Sequence, residues 1–535
     1  MDYLTKNIRN IALIGHAGEG KTTLAEAMLF NMKAIDRQGR VEDGNTCCDF
    51  DSEEIARKTS ISLSVAYGEY EGTKVNIIDV PGFFDFEGEM ISALTVADGA
   101  VIVTGANGSV PVGAELCLDY CIKNNIPTMI FVNGIDKENA DYVQTVEAFR
   151  AQYGKKIATM HAPIIRDGKM KGYVSVISGK AYEFTKGGRV EVKIPDDMKE
   201  EIEMLKAGLT EAAAETSEEF IEKYLDSGWL SNDEIITGIK QGLVNGDTIP
   251  MLGGSAAQNL GVINLLNEVV AIMPSPEEGR GAIESDLPVG ENDTVLRVFK
   301  TIVDPFVGRL NVFKVIRGKV TPGMTLKNVT KGVDEKISSL YFIKGKKQDN
   351  SQAVIAGDIG AVAKLSLTAT GDTLSTAPDV CFPAIEKPAA VYSMAVYAAK
   401  KGDEDKVFAG LRKLQDEDVS FEVTKNAETG EMLLSGVGDT QLAILCKKLK
   451  SKFGCEAVLK EPKIAYRETI RKKAEAEGKH KKQSGGAGQF GDCWVRFEPG
   501  AEDGVYEFVD AVVGGAVPKQ FIPAADKGLR EAVKE

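Results

Sequence analysis

The sequence predicts a multidomain α/β protein. It should hold a phosphate-loop domain with an inserted subdomain, then a β-barrel domain, an α+β domain and part of a second α+β domain. Three observations predict this. "GHAGEGKTT" (Gly15–Thr23) fits G-x-x-x-x-G-K-[ST] and sits between an apolar run and a helical pattern. Short buried-strand runs alternate with helical stretches through the first half, the signature of a largely parallel sheet covered on both faces. The texture then turns β-rich, with glycine turns about every 10 residues. At 535 residues, 43% of them hydrophobic, the chain is too long for one core.

The elements follow in order. "NIALIG" (Asn10–Gly15) is a buried strand, and "KTTLAEAMLFNM" (Lys21–Met32) is a helix with apolar residues at helical spacing. "KVNIIDV" (Lys74–Val80), "GAVIVTG" (Gly99–Gly105) and "TMIFVNG" (Thr128–Gly134) are further buried strands, and "GAELCLDYCIKNN" (Gly113–Asn125) is a helix between two of them. "TIPMLGGSA" (Thr248–Ala256) supplies a late strand, and the turn "MPSPEEG" (Met273–Gly279) marks a boundary. The first domain is therefore expected over 1–280, with the insert at about 153–245. In the insert, "GKMKGYVSVISGKAYEF" (Gly168–Phe184) alternates like strands and "DDMKEEIEMLKAGLTEAAAE" (Asp196–Glu215) is a charged amphipathic helix. A barrel is expected over 286–385, an α+β domain over 390–461, and a partial domain over 462–535. The last residues, "GLREAVKE", form a helical pattern with no stop signal, so the expectation is a chain that ends inside a domain.

The phosphate loop carries chemistry. Backbone N–H groups from Gly15, His16, Ala17, Gly18, Glu19, Gly20 and Lys21 should face phosphates, aided by the positive end of the following helix. Gly20 permits close approach, Lys21 reaches the terminal phosphates, and the hydroxyl of Thr22, next to Thr23, serves Mg²⁺. "DVPG" (Asp79–Gly82) ends a strand: Asp79 can hold Mg²⁺ through water, and the Gly82 N–H can sense a γ-phosphate. "NGID" (Asn133–Asp136) also follows a strand, and Asp136 can accept two hydrogen bonds from guanine. A base without those donors would leave a buried carboxylate unmatched. Main-chain amides of Gly254, Ser255 and Ala256 should close over the base.

These motifs come in the order and spacing of a translational GTPase, and the sequence resembles elongation factor G, as an elongation-factor-G-like paralogue. "TVLRVFKTIVDPFVGRLNVFKVIRGKVTPGMTL" (Thr294–Leu326) resembles the family's barrel domain. "ETGEMLLSGVGDTQLAILCKKLKSKFG" (Glu428–Gly454) resembles its third domain. "PKIAYRETI", "KKQSGGAGQFGD" and "VPKQFIPAADKGLREAV" (Pro462–Val533) resemble its fourth. Full-length members continue through the rest of that domain and a fifth. The resemblance implies GTP and Mg²⁺ as ligands and ribosome-dependent GTP hydrolysis coupled to tRNA–mRNA translocation. It implies the ribosome's RNA and proteins as partners, with the tRNA–mRNA complex met indirectly. The molecule is expected to be a cytoplasmic monomer with no membrane association.

Several positions depart from the family pattern. Gly18 replaces the usual loop aspartate. Ser60, in "RKTSIS", takes the place of the switch I threonine and keeps a hydroxyl for Mg²⁺. Phe83 stands where the water-positioning histidine would be, and such groups are worth about 10²–10⁴ in rate. Gly134 replaces the lysine of the guanine motif, and Asp439-Thr440-Gln441 replaces Glu-Leu-His. The loop histidine His16 is expected to be structural. A relative that binds GTP without hydrolysing it, a ribosomal-protection factor and an unrelated P-loop enzyme remain as alternatives.

Charge and composition bound the rest. Against 64 Lys and Arg stand 79 Asp and Glu, a net −15, so the surface as a whole does not suit wrapping nucleic acid. Local basic runs remain. Eight Lys/Arg fall between Lys463 and Lys482, and Lys447, Lys448, Lys450 and Lys452 cluster, each run a candidate RNA footprint or a solvated face. "SGGAGQFG" (Ser484–Gly491) reads as a hairpin connection rather than a second phosphate loop. Eight cysteines without a C-x-x-C pair read as free thiols. The start lacks an apolar signal region and no run reaches ~18 apolar residues, so a soluble intracellular chain is expected.

Overall fold

The computed structural model describes residues 3–166, 168–185, 188–278, 289–290, 292–304, 308–377, 379–466, 468–500 and 506–533. They form two units, 1–462 and 463–535.

The first unit begins with a seven-stranded sheet. Its strands are β1 (Ile8–Ile14), β2 (Ser64–Tyr70), β3 (Thr73–Asp79), β4 (Gly99–Gly105), β5 (Thr128–Asn133), β6 (Ile157–Thr159) and a late strand, Ile249–Gly254. The order is β2-β3-β1-β4-β5, then Ile249–Gly254, then β6. Only β2 is antiparallel to its neighbour; the other pairings are parallel. β1, β3 and β4 are buried along their whole length, which is why they read as unbroken apolar runs. Helix α1 (Lys21–Asn31) packs Leu24, Ala25, Ala27, Met28 and Leu29 into the core on nearly all faces. Helices α2 (Ser52–Arg57), α3 (Glu87–Leu94), α4 (Val112–Lys123) and α5 (Tyr142–Tyr153) follow.

The insert folds as a four-stranded antiparallel sheet (His161–Arg166, Lys169–Ser175, Lys180–Thr185, Gly188–Val192) and helices α6 (Lys199–Ala214), α7 (Glu218–Ser227) and α8 (Asn232–Asn245). It does not form a separate core. Met160, Val174 and Ile235 share one apolar cluster with Met28 and Phe131, and β6 joins the main sheet by pairing with Ile249–Gly254. Helix α9 (Val262–Ile272) returns to pack on α1.

An eight-stranded antiparallel sheet over Val295–Ser375 closes around Leu296, Val298, Phe313, Leu326, Leu340 and Leu374. Four antiparallel strands between Tyr392 and Lys460 then carry helices α10 (Glu404–Gln415) and α11 (Asp439–Phe453), with Val396, Leu411, Leu434, Leu442 and Leu449 between the layers. The second unit holds a long hairpin, Ala474–Ser484 with Ala487–Phe497, and helix α12 (Ile522–Ala532). Ser484 pairs with Ala487, leaving Gly485 and Gly486 as a two-residue loop at φ +57° and +94°. Positive φ at both positions is what a primed hairpin turn demands, so "SGGAGQFG" is a hairpin connection.

Each of the four lysines clustered on α11 has an acidic partner. Lys447 pairs with Glu53 (3.2 Å), Lys450 with Glu456 (2.9 Å), and Lys448 and Lys452 both reach Glu417. Glu417 is buried and also accepts the Val303 N–H at 2.7 Å. Lys448 and Lys452 are thus turned into the fold, while the side chains of Lys447 and Lys450 stay more than half exposed. The cause is tertiary: the acids come from α2, from the loop after α10 and from the segment after α11.

Candidate functional site

The parallel strands end on one side, and the sequence motifs emerge from those ends. The phosphate loop leaves β1, Val80–Gly82 leaves β3, Gly134–Asp136 leaves β5, and Ser255–Ala256 leaves Ile249–Gly254. The crevice outside the carboxyl ends of such strands is where open α/β sheets bind ligands.

Lys21 opens α1 behind Gly20 and is buried. Its ammonium donates to the carbonyls of Gly15 (3.0 Å) and His16 (2.8 Å), and burial holds it below the usual lysine range. Gly82 approaches so closely that a Cβ there would overlap the Lys21 ammonium and lie 2.7 Å from the Ala17 nitrogen. Its φ is ordinary, so close approach rather than backbone conformation is what requires glycine.

Three predicted metal-site residues meet. Thr22 Oγ1 donates to Asp79 Oδ2 at 2.7 Å and lies 3.1 Å from Ser60 Oγ. Asp49, which sequence reasoning missed, joins them: it is 5% exposed and faces Ser60 and Lys21. Asp79 Oδ1 and Asp49 Oδ2 are both buried without a hydrogen-bond partner. Burial, with Asp49 adding, raises Asp79 to about 7, and burial raises Asp49 too. Two buried carboxyl oxygens without donors, beside two hydroxyls, suit a hard divalent cation with oxygen ligands. Mg²⁺ therefore fits the residues present.

On the far side of the loop, Asn133 is a brace. Its Nδ2 donates to Glu19 O (2.8 Å), and its Oδ1 accepts the Ala256 N–H (2.9 Å). The Ser255 N–H donates to Leu260 O at 2.9 Å. Two of the three amides expected to close over a base, those of Ser255 and Ala256, thus have acceptors within the protein. They hold Asn133 and the turn. Asp136 is half-buried and has no hydrogen-bond partner among the described residues. The Ile135 N–H ties this segment to Gly254 O (3.2 Å).

The remaining loop residues divide plainly. Gly18 is exposed, and a Cβ there would meet nothing within 4 Å. His16 is packed: its ring stands edge-on to Phe84 at 5.9 Å, and its Nδ1 is buried without a partner. Phe83 is 44% exposed and lies at the start of a short 3₁₀ turn, Phe84–Phe86. Thr23 is half-buried on the first turn of α1.

A further set of contacts links this region to the domains beyond it. Glu54 is buried and accepts N–H groups of Asp51 (3.2 Å), Ile61 (3.0 Å) and Ser62 (3.2 Å), bridging the two ends of the segment that carries Ser60. Glu89 on α3 accepts the Leu63 N–H at 2.7 Å and pairs with Lys300 of the barrel at 2.6 Å. Asp85 accepts the Gln441 N–H of α11 at 3.1 Å. Asp51 and Glu54 form a capping box on α2, and D-x-x-E was the readable signal for it. Nothing local marks Asp49 or Glu89.

Family models match four consecutive stretches. The Elongation factor Tu GTP binding domain covers residues 6–275, and Elongation factor G domain 2 covers 294–377. Elongation Factor G domain III covers 387–461, and Elongation factor G domain IV covers 462–535. Among solved structures, a crystal structure of a protein from Thermus thermophilus superposes with a TM-score of 0.89. It is 33% identical, and the match covers 98% of this chain and 78% of that one.

Proposed function

The chain belongs to the GTP-binding elongation factors that share the domain series of elongation factor G, and we propose that it is a ribosome-associated translation factor whose GTP binding and hydrolysis are coupled to tRNA–mRNA movement. The observation that carries this reading is the meeting of Thr22, at the head of α1 beside Lys21, with Ser60 and Asp79, which lie on two further segments able to sense a γ-phosphate.

The residues divide the work. The Lys21 ammonium, now turned to the Gly15 and His16 carbonyls, swings onto the β- and γ-phosphates. Loop amides from Gly15 to Lys21 cradle the same groups. Thr22, Ser60, Asp79 and Asp49 are the residues that would hold Mg²⁺, through two hydroxyls and two carboxylates. Bound there, the metal neutralises charge that develops on the phosphates. The Gly82 N–H faces the γ-phosphate, and Asp136 accepts from guanine while Asn133 ties its segment to the loop. Glu54, Glu89 and Asp85 pass the state of these segments to the barrel and to α11.

A second reading, a factor that binds GTP but hardly cleaves it, is favoured by Phe83, which offers no hydrogen bond to a water. Multiple-turnover phosphate release, with and without ribosomes, tests both. Ribosome-stimulated release by the parent supports the first reading. A parent that binds GTP without turnover, and gains about 10²–10⁴ in rate on Phe83→His, supports the second. A parent that turns over quickly and gains nothing removes the case for Phe83 as a catalytic loss.

A further inference from the structure

Residue 134 is a buried glycine at φ +75°, and the side chain it lacks has a neighbour in its place. A Cβ built on Gly134 would lie 3.0 Å from Lys137 Cε, 3.3 Å from Cδ and 3.4 Å from Nζ. A tight turn, Lys137 N–H to Gly134 O at 3.1 Å, folds the lysine back over the glycine. The next residue after Asn133 is therefore covered by a four-carbon stem that starts three positions further along the chain.

That location borders the site on both sides. Asn133, one residue before, is bonded to the phosphate loop at Glu19 O. Asp136, one residue before Lys137, is the carboxylate assigned to the base. Lys137 is itself exposed, and an ammonium on a four-carbon stem folded over Gly134 can reach a ring held by the neighbouring Asp136.

We propose that Lys137 is a positioning residue for the guanine base: its stem and ammonium flank the ring and the phosphate loop at the place where residue 134 carries no side chain. The inference rests on the GTP reading given above, and the ordinary alternative is a solvated surface lysine with no part in binding.

The test is calorimetric titration of the full chain with Mg²⁺ and GDP, and with a non-cleavable GTP analogue. Lys137→Ala should weaken both nucleotides by the same factor, about 3- to 30-fold, because the lost contact is to the base and not to the γ-phosphate. The melting temperature without nucleotide should stay within about 2 °C, as for exposed substitutions generally. Lys137→Arg, which keeps a long cationic side chain, should recover most of the affinity that Lys137→Ala loses. Parental affinity in Lys137→Ala, or no recovery in Lys137→Arg, overturns the proposal while leaving GTP binding intact. A parent that binds no guanine nucleotide overturns the GTP reading itself.

Discussion

Lys21 and Glu54 show how single buried groups tie binding to stability. The Lys21 ammonium is buried against two carbonyls, with its charge disfavoured until phosphate arrives. Lys21→Ala should therefore cut triphosphate affinity more than 100-fold by the charge-assisted contacts it removes, on the order of ~3 kcal/mol. Titration calorimetry checks this, and undiminished affinity would contradict the phosphate assignment. Glu54 is pushed by burial, with Asp49 adding, to about 8 from 4.5. Between those values the fold binds more protons than the unfolded chain does. Its stabilising share is thus complete below pH 4.5 and is lost as pH rises towards 8. Glu54→Gln keeps an acceptor oxygen for the Ile61 and Ser62 amides, though not for that of Asp51, and should flatten part of that slope in melts without nucleotide. Glu54→Ala leaves the amides without a partner and should cost about 1–3 kcal/mol. Equal melting of the two variants across pH 5–8 would exclude this role.

Helix α11 is held by electrostatics that its own sequence does not disclose. Lys448 and Lys452 point inward, and Glu417 answers both. Glu417→Ala leaves two partly buried ammonium groups without that carboxylate, a change that costs about 3–5 kcal/mol when the pair is buried. Hydrogen exchange across Asp439–Phe453 is the measurement, with faster exchange there and little change in β1 expected. Protection equal to the parent's would show that the apolar face of α11 suffices. The same contacts explain why the motifs at the strand ends were legible and their supports were not. The phosphate loop, Asp79-x-x-Gly82 and Asn133-x-x-Asp136 each occupy one short stretch with fixed local geometry. Asp49, Glu89 and Lys137 acquire meaning only from residues the fold brings beside them.

Across the first unit, buried ion pairs join the nucleotide-site sheet to the barrel. Lys74 meets Asp358 at 2.8 Å, Lys314 meets Asp98 at 2.6 Å, and Lys300 meets Glu89 at 2.6 Å, every partner nearly inaccessible to solvent. Asn10 and Asn76 extend the first two pairs into one hydrogen-bonded network, through Asp98 and Asp358. A buried pair adds little net stability, yet breaking it is costly because one charge is left uncompensated. Asp358→Ala should therefore separate the melting of the barrel from that of the sheet, with a loss of about 3–5 kcal/mol in their coupling. Scanning calorimetry would then show two transitions where the parent shows one, and a single unshifted transition would deny the network that task. Among the described residues no helix is long and apolar enough to cross a membrane.

The amino-acid order alone determined the strand runs, the glycine-spaced loop before α1, and the residue types that can meet phosphate, metal and guanine. Those depend on hydrophobic periodicity and on short-range backbone conformation, which a few adjacent residues settle. Tertiary structure alone decided which lysines face solvent, that the Ser255 and Ala256 amides have acceptors within the protein, that Asp49 joins Ser60 and Lys21, and that Lys137 covers Gly134. Each depends on burial and on partners distant in the chain or folded back by a turn, and the free energy of a charge is set by what surrounds it rather than by its neighbours in sequence.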